Sequence, residues 1–250
     1  MKKTVYHLLM LLVTVPVLLS GTVQAQTGSL VPYQEGLHYF EIEGAPARAN
    51  DQMELVELFS YLCTHCNTFE PYINSWKNRN AETVNFRRIP VVFGRAAWEI
   101  YARGYVTANM MGLGDEVHAA LMDEIWKEKA VMRSMDELAE FYSGFGVTAE
   151  SFLATSKSFA VDAKMRKDQR LAQAYGIRGT PAMVLNGKYR IAGNAAVSSY
   201  DVMLDVVDYL VELETAKRLE AAAAENATGE PETGLTADAQ VARSAEGEGR

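Results

Sequence analysis

The chain has 250 residues, close to half of them hydrophobic, with a formal net charge of −8. That length and apolar content suffice for one core with an insertion, and an acidic balance without basic clusters argues against a nucleic-acid partner. With two cysteines and four histidines in all, a zinc site built on two Cys pairs is excluded as well.

In chain order, Lys2 and Lys3 precede the apolar stretch Leu8 to Leu19, and Val23-Gln24-Ala25 places small residues where a signal peptidase reads. Residues 1–25 are therefore expected to be a secretory signal peptide cleaved after Ala25. The stretch is short for a membrane span and ends in Ser20-Gly21 rather than a charged stop. Loss of the two lysines would take the formal charge from −8 to −10. An exported chain whose two cysteines form one Cys-x-x-Cys pair suits an oxidising space such as a bacterial periplasm.

Leu37 to Ile42 and Met53 to Phe59 read as strands, the second a nearly continuous apolar run of the kind covered on both faces. A helix is predicted from Thr64 to about Asn78, with Pro71 inside it, and a strand from Thr83 to Val92. Such a strand-helix-strand unit implies a parallel pairing. Beyond Arg95 the pattern turns helical: Trp98, Tyr101, Tyr105 and Ala108 mark one face, and Asp115 is placed to cap the next helix. Ser134 with Glu137, then Thr148, then Ser158 are further caps, and Gly176 is a left-handed stop. Met183 to Leu185, Asn186-Gly187 and Lys188 to Ala192 give a hairpin, and Ser198 to Glu220 an amphipathic helix. This is the order of an α/β thioredoxin fold interrupted by a helical insertion. Residues 26–94 and 168–220 are its two parts and 95–167 the insertion. Residues 221–250, without an aromatic, are expected to be a disordered acidic tail.

The chemistry concentrates at Leu62-Cys63-Thr64-His65-Cys66, where an apolar run meets a predicted helix. There Cys63 faces helix amides that favour a thiolate, and Cys66 lies one turn deeper, able to attack a mixed disulfide on Cys63. Zinc lacks enough ligands, and c-type haem attachment needs His where Asn67 stands. A purely structural bridge closing so short a loop would constrain the unfolded chain little.

The run Glu57-Leu58-Phe59-Ser60-Tyr61-Leu62-Cys63-Thr64-His65-Cys66, with Gly179-Thr180-Pro181-Ala182-Met183 and Asn186-Gly187-Lys188-Tyr189, resembles the periplasmic thiol:disulfide oxidases of the DsbA type. The resemblance covers the mature chain to about Glu220. It implies an enzyme without a cofactor or metal, a monomer, that donates a Cys63–Cys66 disulfide to exported polypeptides with free cysteines. A quinone-linked membrane protein of the DsbB type would reoxidise it. By the same resemblance Cys63 is the nucleophile and Cys66 the resolving thiol. His65 favours the Cys63 thiolate, and Thr64 departs from the Pro of the best-known members. Pro181 is cis, and Thr180 pairs with an extended substrate. Glu57 is a proton relay to Cys66, with Arg88 or the adjacent Arg87 as its basic partner. The competing readings are a disulfide reductase or isomerase and a polypeptide-binding module or holdase.

Overall fold

The structure, a computed structural model, describes residues 33–44 and 52–228, so the expected signal peptide and the tail beyond Thr228 lie outside the described residues. The elements run β1 (Phe40–Glu41), β2 (Met53–Phe59), α1 (Thr64–Arg79), β3 (Val84–Pro90), α2 (Ala96–Met110), α3 (Asp115–Trp126), α4 (Met135–Ser143), α5 (Ala149–Ser156), α6 (Phe159–Ala174), β4 (Ala182–Leu185), β5 (Tyr189–Ala192) and α7 (Tyr200–Thr228). The strands form one sheet in the order β1-β5-β4-β2-β3. As the strand-helix-strand pattern requires, β2 and β3 are parallel, with Glu57 opposite Arg88, while β4 runs antiparallel to β2.

The central strand β2 explains the layering. Its Leu55 joins a core made with Phe69, Ile73 and Trp76 of α1 and Met203, Val207 and Leu210 of α7. Val56 and Leu58, pointing the other way, pack under Ala172 and Tyr175. Each such fully buried side chain contributes roughly 1.5–3 kcal/mol. The first part of α6 places Val161 and Met165 against Ala102 and Val106 of α2. The same helix thus leaves the helical region and ends on the sheet. Asn186 and Gly187, at φ 55° and 66°, turn the β4–β5 hairpin, as an Asn-Gly pair does.

Three elements differ from the sequence reading. The strand expected over Leu37–Ile42 shrinks to Phe40–Glu41, because the amides of Gly36, Leu37 and His38 are used in a turn that bonds to Tyr39 and Gln34. Asp115 does not cap α3: Gly114 takes the cap position, and the Asp115 carboxylate reaches Lys77 and Arg88 instead. Two cations outcompete backbone amides for it. Finally, α7 does not stop near Glu220 but continues to Thr228, through the Ala-rich start of the expected tail. Residues 221–224 are exposed, and alanine's high helix propensity sustains a helix that buries nothing there.

Candidate active site

The two cysteines sit where β2 hands over to α1. Cys63 is the N-cap residue of α1, in extended conformation and partly exposed, while Cys66 on the first turn is fully buried against Phe59, Tyr61 and Tyr101. The orphan amides of a helix start point at whatever occupies the cap, and here that is a sulfur. The Cys63 thiol is lowered to about 5, first because the Cys66 thiol donates to it. Burial opposes this, but the Thr180 hydroxyl and the backbone N–H groups of Cys66 and His65 add to the lowering. The carbonyl oxygen of Thr180 also lies 3.4 Å from the Cys63 sulfur, accepting from the neutral thiol. Cys66 is pushed far up, by burial above all and then by the Cys63 and Glu57 charges.

Thr180 is presented by a loop with a cis Thr180–Pro181 bond, between the Gly176 stop at φ 65° and β4. Thr64, exposed on the first turn, offers its carbonyl to the Thr68 hydroxyl. His65 contributes to the sulfur through its amide. Its ring turns to Tyr200, whose hydroxyl is 3.4 Å from His65 Nδ1 and donates to the His65 carbonyl at 3.0 Å.

Behind Cys66 lies a largely buried charge cluster. Glu57 is fully buried on β2, and Arg88 Nε donates to its Oε2 at 2.8 Å; Arg87 instead pairs with Glu54 at 2.9 Å. The strand register settles the choice, since Arg88 and Glu57 are partners across β2–β3 and point to the α1 face together. Arg88 further donates to Asn74 at 3.1 Å, to Glu70 at 3.4 Å and to Asp115 at 3.1 Å. One guanidinium thus faces three carboxylates, and the most deeply buried of them yields. Desolvation raises Glu57 to about 7, the Glu70 charge adds to it, and Arg88 offsets part. Among the described residues, Glu57 Oε1 has no hydrogen-bond partner.

Sequence reasoning missed Glu70 and His118. Burial would raise Glu70, but His118 and Arg88 bring its carboxyl below the usual range. His118 Nε2 meets Glu70 Oε1 at 3.0 Å and its Nδ1 meets the Tyr61 hydroxyl at 2.9 Å. A carboxylate can only accept, so Nε2 carries a proton towards Glu70, and the ring is held at both nitrogens. Burial, with Arg88 nearby, lowers His118, and the Glu70 hydrogen bond and charge offset part of that. Trp126 Nε1 donates to the Tyr61 carbonyl at 2.9 Å, so α3 grips the loop leading into Cys63 at two points. The available signal was a carboxylate within the inner stripe of α1 (Cys66, Phe69, Glu70, Ile73) and a histidine between Val117 and Leu121.

The DSBA-like thioredoxin domain matches residues 54–204. The thiol:disulfide interchange protein DsbA of Azotobacter vinelandii is 40% identical over 192 residues, 76% of this chain and 89% of that protein. Its namesake from Pseudomonas aeruginosa is 38% identical over 185 residues, 74% and 87% of the two chains. The crystal structure of Pseudomonas aeruginosa DsbA superposes with a TM-score of 0.68 at 37% identity, covering 74% of this chain and 96% of that one. The Xylella fastidiosa oxidoreductase DsbA gives 0.67 at 33% identity, covering 72% and 96%. With the sheet, the helical insertion and the Cys-x-x-Cys pair on the N-terminus of α1, the chain belongs to the DsbA family of thiol:disulfide oxidoreductases.

Proposed function

We propose that this chain oxidises thiols of exported polypeptides through Cys63, with Cys66 as the resolving thiol. The observation that carries the assignment is the asymmetry of the pair: Cys63 is partly exposed with its thiolate favoured, and Cys66 is buried with its thiolate disfavoured. A substrate thiolate attacks Cys63 Sγ, the Cys63–Cys66 bond breaks, and Cys66 leaves and takes up a proton. A second substrate thiolate then attacks the substrate's own sulfur in the mixed disulfide, and Cys63 leaves as a thiolate. Two electrons pass from the substrate dithiol to the protein. A low-pKa sulfur is the better leaving group, which drives the second step forward.

Glu57 supplies the proton that Cys66 needs. It is neutral below about pH 7, buried beside that thiol's environment and held by Arg88. Thr180 receives the substrate as an added strand, a mode that accepts many sequences because main-chain bonds carry it. A solved Proteus relative, 26% identical, holds a non-covalently bound peptide, which supports polypeptide recognition on this scaffold. The family acts on substrate proteins and is reoxidised by DsbB. Here the same Cys63 would hand its electrons to a quinone-linked membrane partner of that type, in the periplasm, after cleavage of residues 1–25.

The test is trapping. Cys66→Ser should accumulate mixed disulfides with cysteine-containing exported proteins and Cys63→Ser should not, as read on non-reducing gels. The redox equilibrium with glutathione should lie well above the roughly −270 mV of a thioredoxin. Equal trapping by both variants, or a thioredoxin-like potential, would overturn the assignment in favour of a structural bridge or a reductase.

A further inference from the structure

Next to Cys63 runs a groove of about 710 Å³ whose walls include His65, Thr180 and Pro181, together with Arg178 and Arg190. Among the described residues, no aspartate or glutamate lines it. In a chain of net charge −8 that is an uneven distribution, and it lies where a substrate segment must pass.

The two arginines are held differently. Arg190 is a fixed cation: its Nη1 donates to the Gly176 carbonyl at 2.7 Å and to that of Tyr175 at 3.3 Å, and its guanidinium lies 5.2 Å over the Phe40 ring. Gly176 makes room for it, since a Cβ there would come within 2.4 Å of Nη1. Those partners are neutral, and among the described residues Arg190 has no ion pair with a carboxylate. Arg178 is exposed, two residues before Thr180 on the same loop. An adjoining hollow shares His65, Gly193, Tyr200 and Met203 with the groove, and its charged wall is Asp201. The charged side chains thus differ in sign between the two, basic in the groove and acidic in the hollow.

We propose that the Arg178–Arg190 groove selects substrate segments that carry an acidic residue on one side of the reacting cysteine. The inference rests on Cys63 being the sulfur that meets substrate and adds a charge preference to main-chain pairing. An acidic side chain entering the groove meets two cations and, among the described lining residues, no competing carboxylate, whereas a basic one meets like charge. The partner is thus an extended polypeptide with Asp or Glu near its cysteine.

The experiment uses the oxidised full-length protein and short dithiol peptides that differ only beside the reacting cysteine. One has Glu before it, one Glu after it, one Lys and one Ser. A flanking charge changes the peptide thiol's own reactivity, so each rate is divided by that peptide's rate with a neutral small disulfide, bis(2-hydroxyethyl) disulfide. One of the two Glu peptides should then react about two- to fivefold faster than the Lys peptide at low salt, and the ratio should fall towards one in high salt. Arg178→Glu, a surface change that leaves Arg190 in place, should erase or invert the ratio. Equal normalised rates for all peptides would overturn the charge selection while leaving the oxidase reading intact. No oxidation of any peptide would instead count against the oxidase reading itself. A preference that survives both Arg178→Glu and Arg190→Gln, which removes the second cation, would place the selection elsewhere and overturn the assignment to this groove.

Discussion

The two sides of Cys66 shift proton affinities by opposite means. In front, at the helix start, Cys63 is tuned by a thiol, a hydroxyl and two amides, all of them neutral dipoles, at a partly exposed sulfur. Behind, Glu57, Arg88 and Glu70 are ionisable groups in the interior, where one guanidinium is divided among more carboxyl groups than it can neutralise. Dipoles lower a pKa without committing a charge to the core, so the front can cycle between redox states at little structural cost. The back holds its charges only while all of them are present, and the reward is one carboxyl that still carries a proton near neutral pH.

Breaking the back should therefore have the largest effect. Arg88→Met leaves Glu57 and Glu70 buried without their shared cation and should cost roughly 3–5 kcal/mol of stability in denaturant titrations. Adding Glu57→Leu to it should restore part of that loss. A cost below about 1 kcal/mol would mean that water reaches the cluster.

The front is probed by redox state. The Cys63 thiol is lowered from an ordinary value of about 8.5 to about 5, and only the reduced protein has that thiol. A depressed pKa contributes stability that is present in full above the unfolded value and is lost as pH falls through the folded one. Each unit corresponds to about 1.4 kcal/mol. Solvent screening at a half-exposed sulfur trims the total to about 2–3 kcal/mol. The reduced protein should accordingly outlast the disulfide form near pH 8, by a gap that closes towards pH 5. Paired unfolding curves at several pH values measure it, and an oxidised form more stable at pH 8 would contradict a front built to favour the thiolate.

A finer test separates the two regions within one turnover. Because Glu57 is raised to about 7, its ionisation opposes folding, and stability should decline as pH climbs from about 4.3 to 7. Glu57→Gln should flatten that decline. It should also slow the departure of Cys66 by about tenfold, near 1.4 kcal/mol, and remove the break near pH 7 from single-turnover oxidation of a peptide dithiol. A break that persists in the variant would assign the proton to another group.

How much of this was legible in the sequence depended on whether a neighbour in the chain or a neighbour in space decides the outcome. Met53–Phe59, the Cys63 cap, the Asn186-Gly187 turn and the Thr148 and Ser158 caps follow from local patterns, and the structure has each of them. Asp115 illustrates the opposite case: its sequence context says cap, but Lys77 and Arg88 arrive from α1 and β3 and claim the carboxylate. The choice between Arg87 and Arg88 was likewise open until the register fixed which one faces α1. Glu70 and His118 lie 48 positions apart and gain meaning only when α3 folds onto α1. Each alone reads as a polar residue on an otherwise apolar stripe.

The smallest effect is expected where the chain touches neither region. α7 begins at the front, where Tyr200 bonds to His65, and packs on the sheet through Leu210. Its anchors there include Glu214, which accepts from Lys188 at 3.0 Å and from the Tyr189 hydroxyl at 2.8 Å, and Lys217, which donates to that hydroxyl at 3.1 Å. Past it, Leu219 is 68% exposed and residues 221–224 are exposed throughout. Residues 221–224 bury no apolar surface and contribute little beyond their own propensity, and truncation after Glu220 should change stability by no more than about 0.5 kcal/mol. The peptide oxidation rate and the pH dependence of the redox gap should stay as they are in the full chain. Moving the truncation back to Val211 removes both anchors and should cost clearly more, since Lys188 and Tyr189 then lose their partners. If the shorter cut already lowers the unfolding midpoint by that larger amount, residues beyond Glu220 dock on the fold, and the protruding end of α7 is part of its stability.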